Sequence, residues 1–206
     1  MKILVNFFAN VNEKSVNDLI GFVTQNVFAA QNQKLPLIEL ELVIQIASSG
    51  GSSDHGLLAY NYLKQLNIKK TTINMGNVDS AAVMIFCAGD QRYTTETSRF
   101  TLHGSITTLQ GAFNGEKLYE IADLNKRITD DYIKVVHQVT GQKISKLTKD
   151  IKAGSVIDAS MAVKLKLATE MINEPYIKTT DGVNAIIINN APIQLSQANQ
   201  QQIIQN

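Results

Sequence analysis

Ser80 stands where a serine could act as a nucleophile. It follows an apolar, β-branched stretch and the tetrapeptide Gly76-Asn77-Val78-Asp79, and it opens the apolar run AAVMIFCA. A serine between a strand and a helix is displayed at the end of a sheet, beside the unpaired N–H groups of the first helical turn. That suits attack on a carbonyl and stabilisation of the resulting oxyanion. The same position also suits an ordinary helix N-cap, for which serine is a preferred residue. The loop Ser49-Gly50-Gly51-Ser52 offers two glycines able to turn backbone N–H groups toward a bound group. No Gly-Lys-Ser/Thr follows it, so it is not a phosphate loop. His103, before Gly104 at the end of a short strand-like piece, fits a general base, a packed polar residue or a surface group. His55 and His137 have no supporting context. The local trio Ser52/Ser53, Asp54 and His55 is too close in sequence to converge as a triad. Cys87 reads as a small core residue.

The elements that must position these residues follow from periodicity. Residues 2–8 read as a buried strand, and Val16, Leu19, Ile20, Val23 and Val27 mark a helix over about 13–31. A β-branched run over 37–46, a helix over 54–67 and a strand over 70–75 continue the alternation. This predicts βαβ units and a mostly parallel sheet. Residues 76–79 read as a turn, a helix runs from Ser80 to about Ala88, and short strands lie near 91–95 and 99–103. A long helix over about 116–139 follows, closed by Gly141, and its length exceeds what one core needs. Residues 184–189 suggest a strand, and the Gln/Asn-rich end LSQANQQQIIQN reads as disordered.

Composition narrows the function classes. With 206 residues, 44% hydrophobic and 18% charged, the chain is sized for one domain with a sizeable core. A formal net charge of +1 gives no electrostatic reason for a nucleic acid or membrane partner. A single cysteine fits a reducing compartment. The N-terminal apolar run is too short for a membrane span and lacks a signal-type cleavage site, so a cytoplasmic location is expected. Three histidines leave few candidates for a metal site.

Taken together, these stretches resemble the Clp protease proteolytic subunit, of the wider Clp/crotonase fold. Ser48-Ser49-Gly50-Gly51 is similar to the family's Ser-Pro-Gly-Gly loop, with Ser49 in place of proline. Gly76-Asn77-Val78-Asp79-Ser80-Ala81-Ala82 matches the family's Gly-Gln-Ala-Ala-Ser-Met-Gly, with no gap needed from Gly51. Asp79 puts a carboxylate directly before the serine. Cys87-Ala88-Gly89 resembles Ala-Ala-Gly, Phe100-Thr101-Leu102-His103-Gly104 the strand bearing the family's histidine, and Val139-Thr140-Gly141-Gln142 the end of its "handle" helix. Counting on from Thr140 places the family's acid at Asp150, although the Thr-x-Arg-Asp that should follow is absent. Ser160-Met161-Ala162-Val163 is similar to a later Ser-Ala-x-Glu motif without its Tyr-Gly.

The resemblance, over about residues 1–172, implies an α/β fold of repeated ββα units with a protruding handle helix. It implies a core domain over 1–175 and a C-terminal extension over 176–206. It further implies a serine peptidase with Ser80 as nucleophile, His103 as base and Asp150 as orienting acid, and with Gly51 and Ala81 N–H groups as the oxyanion hole. No cofactor or metal is expected. Substrates would be peptides or unfolded proteins, held by strand pairing along residues 105–115, in a heptameric or double-ring homo-oligomer. The chain starts at the first core strand, without the family's N-terminal gating extension, which argues against docking of the usual ATPase unfoldase. Two other readings stand beside this one: an inactive Clp-like ring subunit, and a crotonase-like enzyme acting on acyl-CoA.

Overall fold

A computed structural model describes residues 1–178 and 182–190. Alternating burial along Lys2–Phe8 makes β1, whose Ile3, Val5 and Phe7 are fully buried. Helix α1 (Glu13–Asn32) starts at Asn12, whose side chain accepts from the Ser15 N–H while Ser15 returns a bond to the Asn12 N–H. The run from residue 37 is not strand throughout: Leu37–Glu39 forms a 3-10 turn after Pro36, and β2 occupies Glu41–Ser48. Next come α2 (Ser53–Gln65), β3 (Lys69–Asp79), α3 (Ala82–Cys87), β4 (Gln91–Thr94) and β5 (Arg99–Leu102). The C-terminal half holds α4 (Gly115–Thr140), α5 (Ile144–Ala153), β6 (Ser155–Asp158), α6 (Ala159–Lys164), β7 (Glu170–Met171) and β8 (Val183–Asn189). The sequence pattern does not anticipate β6, α6 or β7. The Gln/Asn-rich tail lies outside the described residues.

The strands form one sheet in the order β6-β5-β3-β2-β1-β8, with β4 branching from β3 and β7 pairing with β4. Every pairing is parallel except β5 with β6. Strand β3 is the pivot: Thr71–Asn74 pair with β4, whereas Asn77–Asp79 pair with β5. Residues 76–79 are therefore strand and not the expected turn. The reason is Asn74, whose Oδ1 accepts from the Gly76 N–H (3.0 Å) and whose Nδ2 donates to the Arg99 carbonyl (2.8 Å). Those bonds sit at the register shift where Asn74–Val78 of β3 oppose Ile46–Ser48 of β2, and beyond it β3 runs on beside β5. Behind the sheet, α3 is buried at all six positions, and Phe86 meets Phe100 edge-on at 4.9 Å.

Helix α4 has 26 residues, roughly 39 Å at 1.5 Å per residue. Its C-terminal half buries Tyr132, Ile133, Val135 and Val136, and Gly141 ends it at φ 66° with its N–H on the His137 carbonyl. The N-terminal half leaves the core: Leu118, Tyr119 and Leu124 are exposed. There Lys117–Glu120 and Asp123–Arg127 pairs line a helix that has little to pack on.

Candidate active site

Ser80 sits at the end of β3, and its backbone sets the site. Its φ is 54°, a left-handed value shared among the described non-glycine residues only by Lys34 and Lys166. Such a conformation costs a β-carbon-bearing residue about 1–2 kcal/mol and persists where surrounding structure enforces it. Here the Ser80 N–H donates to the Thr101 carbonyl at 2.7 Å, locking the turn to β5. The N-cap of α3 is Ala81, with no side-chain cap, so Ser80 is not the capping serine that its position allowed. Its half-buried hydroxyl has no hydrogen bond to protein among the described residues.

The glycine loop presses against this turn. Gly50 (φ 85°) lies so close that a β-carbon there would stand 2.6 Å from the Asp79 carbonyl oxygen and 2.7 Å from the Ser80 Cβ. Gly51 (φ 143°) would meet the Val11 carbonyl oxygen at 2.3 Å. Only glycine permits this approach. Val11 holds the loop on both sides, donating to the Gly50 carbonyl and accepting from the Ser52 N–H, each at 2.8 Å. Among the described residues, the N–H groups of Gly51 and Ala81 have no protein acceptor. Both residues line, with Ser80, His103 and Tyr132, one cavity of about 260 Å³.

His103 follows β5 and enters the same cavity. Its Nδ1 lies 2.7 Å from the Gly104 carbonyl oxygen, and no hydrogen bond joins it to Ser80. Asp150, on α5, lines a different cavity with Leu102 and Ile151. There its Oδ2 pairs with Lys146 Nζ at 2.6 Å, one helical turn away. The Gly104 N–H donates to the Ile151 carbonyl at 3.1 Å, so the backbone joins the positions adjacent to His103 and Asp150 while their side chains stay apart. Residues 103–114 form no strand, and the Ser105 N–H is fastened to Thr129 Oγ1 at 3.0 Å.

Other polar groups have structural employment. Asp79, before Ser80, is 14% exposed; its Oδ2 accepts from Asn77 Nδ2 at 2.9 Å and lies 3.6 Å from Arg99, while its Oδ1 is unpaired. Ser52 caps α2, and its Oγ lies 2.8 Å from His55 Nδ1. Burial pushes the Cys87 thiol up to about 12, consistent with a core residue. Burial also raises the Tyr132 phenol well above its ordinary value, with Cys87 and Asp79 adding to the effect. Tyr132 and Thr129 carry no local motif. Only their placement on the inner face of α4, visible as helical spacing, could have signalled them. Among the described residues no group of three or more His, Cys, Asp or Glu is arranged to hold a metal, and no helix is long and apolar enough to cross a membrane.

A left-handed serine at a strand end, a glycine loop packed on it and a histidine from the next strand, on a mixed sheet with a projecting helix, define a Clp/crotonase-like α/β fold. The Clp protease family model matches residues 6–175, and the chain belongs to that family. It is 29% identical over 165 residues to the ATP-dependent Clp protease proteolytic subunit 2 of Borreliella burgdorferi, covering 77% of this chain and 82% of the relative. To the subunit of the same name from Pseudomonas aeruginosa it is 27% identical over 131 residues, 62% of this chain and 63% of the relative. A ClpP1 mutant structure from Listeria monocytogenes superposes with a TM-score of 0.72 at 17% identity, over 83% of this chain and 91% of that one.

Proposed function

We propose that the chain is a serine peptidase in which Ser80 attacks the peptide carbonyl and His103 takes its proton. Gly51 and Ala81 N–H groups receive the oxyanion, and Asp150 orients His103. The observation that carries the reading is the strained φ of Ser80, held against a glycine loop with two unengaged N–H donors. Relatives named as Clp proteolytic subunits support peptide-bond hydrolysis as the reaction. For the relay to assemble, His103 Nδ1 must leave the Gly104 carbonyl and Asp150 must leave Lys146. The Gly104–Ile151 bond keeps the two backbones together meanwhile. Substrates are peptides or unfolded chains. The apolar residues exposed on α4 and the loop before it, Ile106, Phe113, Leu118 and Leu124, support assembly of copies into a ring. We place residues 1–175 in the peptidase domain and the remainder in a C-terminal extension whose β8 pairs with β1.

Hydrolysis of an unstructured fluorogenic peptide by the purified chain tests this. Wild type should turn it over, and Ser80→Ala and His103→Ala should each lose at least about 10³-fold. Turnover unchanged in Ser80→Ala would overturn the assignment. The present partners of His103 and Asp150 favour a second reading, a ring subunit without activity, for which wild-type turnover stays at background in the assembled oligomer.

A further inference from the structure

The cavity beside Ser80 is polar on most of its circumference. Among the described residues, Ser53, Ser105 and Thr107 line it with hydroxyls that make no hydrogen bond to protein, and its aliphatic lining is only Ala81, Ile106 and Ile128. Among the described residues, Asp54, on the first turn of α2, is the one carboxylate lining the cavity, and no lysine or arginine lines it. Among the described residues, Asp54 has no salt-bridge partner. Tyr132, which also lines it, is 5% exposed, and its hydroxyl has no hydrogen-bond partner among the described residues. An apolar side chain entering here would gain little contact and would strip water from groups it cannot satisfy. A cationic side chain on a long aliphatic stem would lay its methylenes on Ile128 and bring its charge to Asp54.

We propose that this cavity selects lysine or arginine beside the bond to be cleaved, with Asp54 as the specificity-determining residue. This rests on Ser80 being the nucleophile, as argued above. Asp54 is exposed, so its selectivity is modest, about fivefold in kcat/KM at low salt, and it is screened as salt rises.

The test uses peptides of one sequence that differ only in the residue preceding a fluorogenic leaving group: lysine, leucine or glutamate. Wild type should prefer lysine over leucine by about fivefold and glutamate least, with the preference shrinking toward parity in about 0.5 M NaCl. Asp54→Asn should bring the lysine-to-leucine ratio of kcat/KM down to about one, and Asp54→Glu should retain the preference. Leucine equal to or better than lysine in wild type, or a lysine preference that survives Asp54→Asn, overturns the proposal. If turnover is too slow to rank, peptide aldehydes ending in lysinal and leucinal are compared as protectants of Ser80 against a fluorophosphonate. Better protection by lysinal supports the inference, and equal or better protection by leucinal refutes it alone. No labelling of Ser80 refutes both this inference and the nucleophile assignment.

Discussion

Replacing Ser80 by glycine and by alanine separates a strained turn from an ordinary one. At φ 54° the Ser80 β-carbon carries a left-handed penalty of about 1–2 kcal/mol, which Ser80→Ala keeps and Ser80→Gly removes. Glycine gives back about 0.5–1 kcal/mol through the greater freedom of the unfolded chain. The hydroxyl has no hydrogen bond to protein, so its loss is common to both variants and costs neither of them a partner. The difference leaves Ser80→Gly more stable than Ser80→Ala by up to about 1.5 kcal/mol, or up to about 6 °C in Tm for a chain of this size. Thermal and urea melts at one fixed protein concentration measure it, since assembly would shift both curves. Both variants should be inactive. Ser80→Gly melting 2 °C or more below Ser80→Ala would show that the turn is not strained as the structure has it.

Gly50→Ala should be far harsher, because the new β-carbon overlaps the backbone oxygen of Asp79; a loss of about 3 kcal/mol or more, with activity gone, is expected in urea melts. Cys87 should resist thiol reagents at pH 8 in the folded chain and react on unfolding. Its folded-state value of about 12 lies above the ordinary 9.0, so its contribution to stability is full below pH 9 and is lost as pH rises toward 12; Cys87→Ala should blunt that alkaline loss. Burial would raise the Glu41 carboxyl, but hydrogen bonds from Tyr176, Lys69 and Thr71 outweigh it and hold it below its ordinary value. Stability from this cluster is therefore present above the unfolded-state value and lost as pH falls through the folded one, and Tyr176→Phe should cost about 1 kcal/mol at pH 7 and flatten that acid limb.

The order of strands and helices was legible because burial follows period: Ile3, Val5 and Phe7 alternate on β1, and Val16, Leu19 and Val23 share a face of α1. What the pattern missed was set by single side chains reaching across the sheet. Gly76-Asn77-Val78-Asp79 has turn composition, yet Asn74 extends β3 through it by bonding to Arg99, 25 residues away. For Ser80 the residue type did not fix the conformation: serine suits a helix N-cap, yet its N–H bond to the Thr101 carbonyl holds it in a left-handed turn ahead of α3. Asp150 shows the limit of counting. The spacing Lys146 to Asp150 is as favourable for an i,i+4 ion pair as the family register is for an acid, and in this structure the ion pair is made. The polar cavity lining was present in the residues Ser52, Ser53 and Asp54, but only the fold shows that they face Ser80.

The central claim is that Ser80 is an activated nucleophile. Incubating the purified chain with a fluorophosphonate and mapping the adduct by peptide mass spectrometry tests it most directly. One adduct on Ser80, absent from Ser80→Ala and slowed in His103→Ala, is the predicted result. A chain that stays unlabelled, or that labels at another serine such as Ser52 equally well in Ser80→Ala, contradicts it.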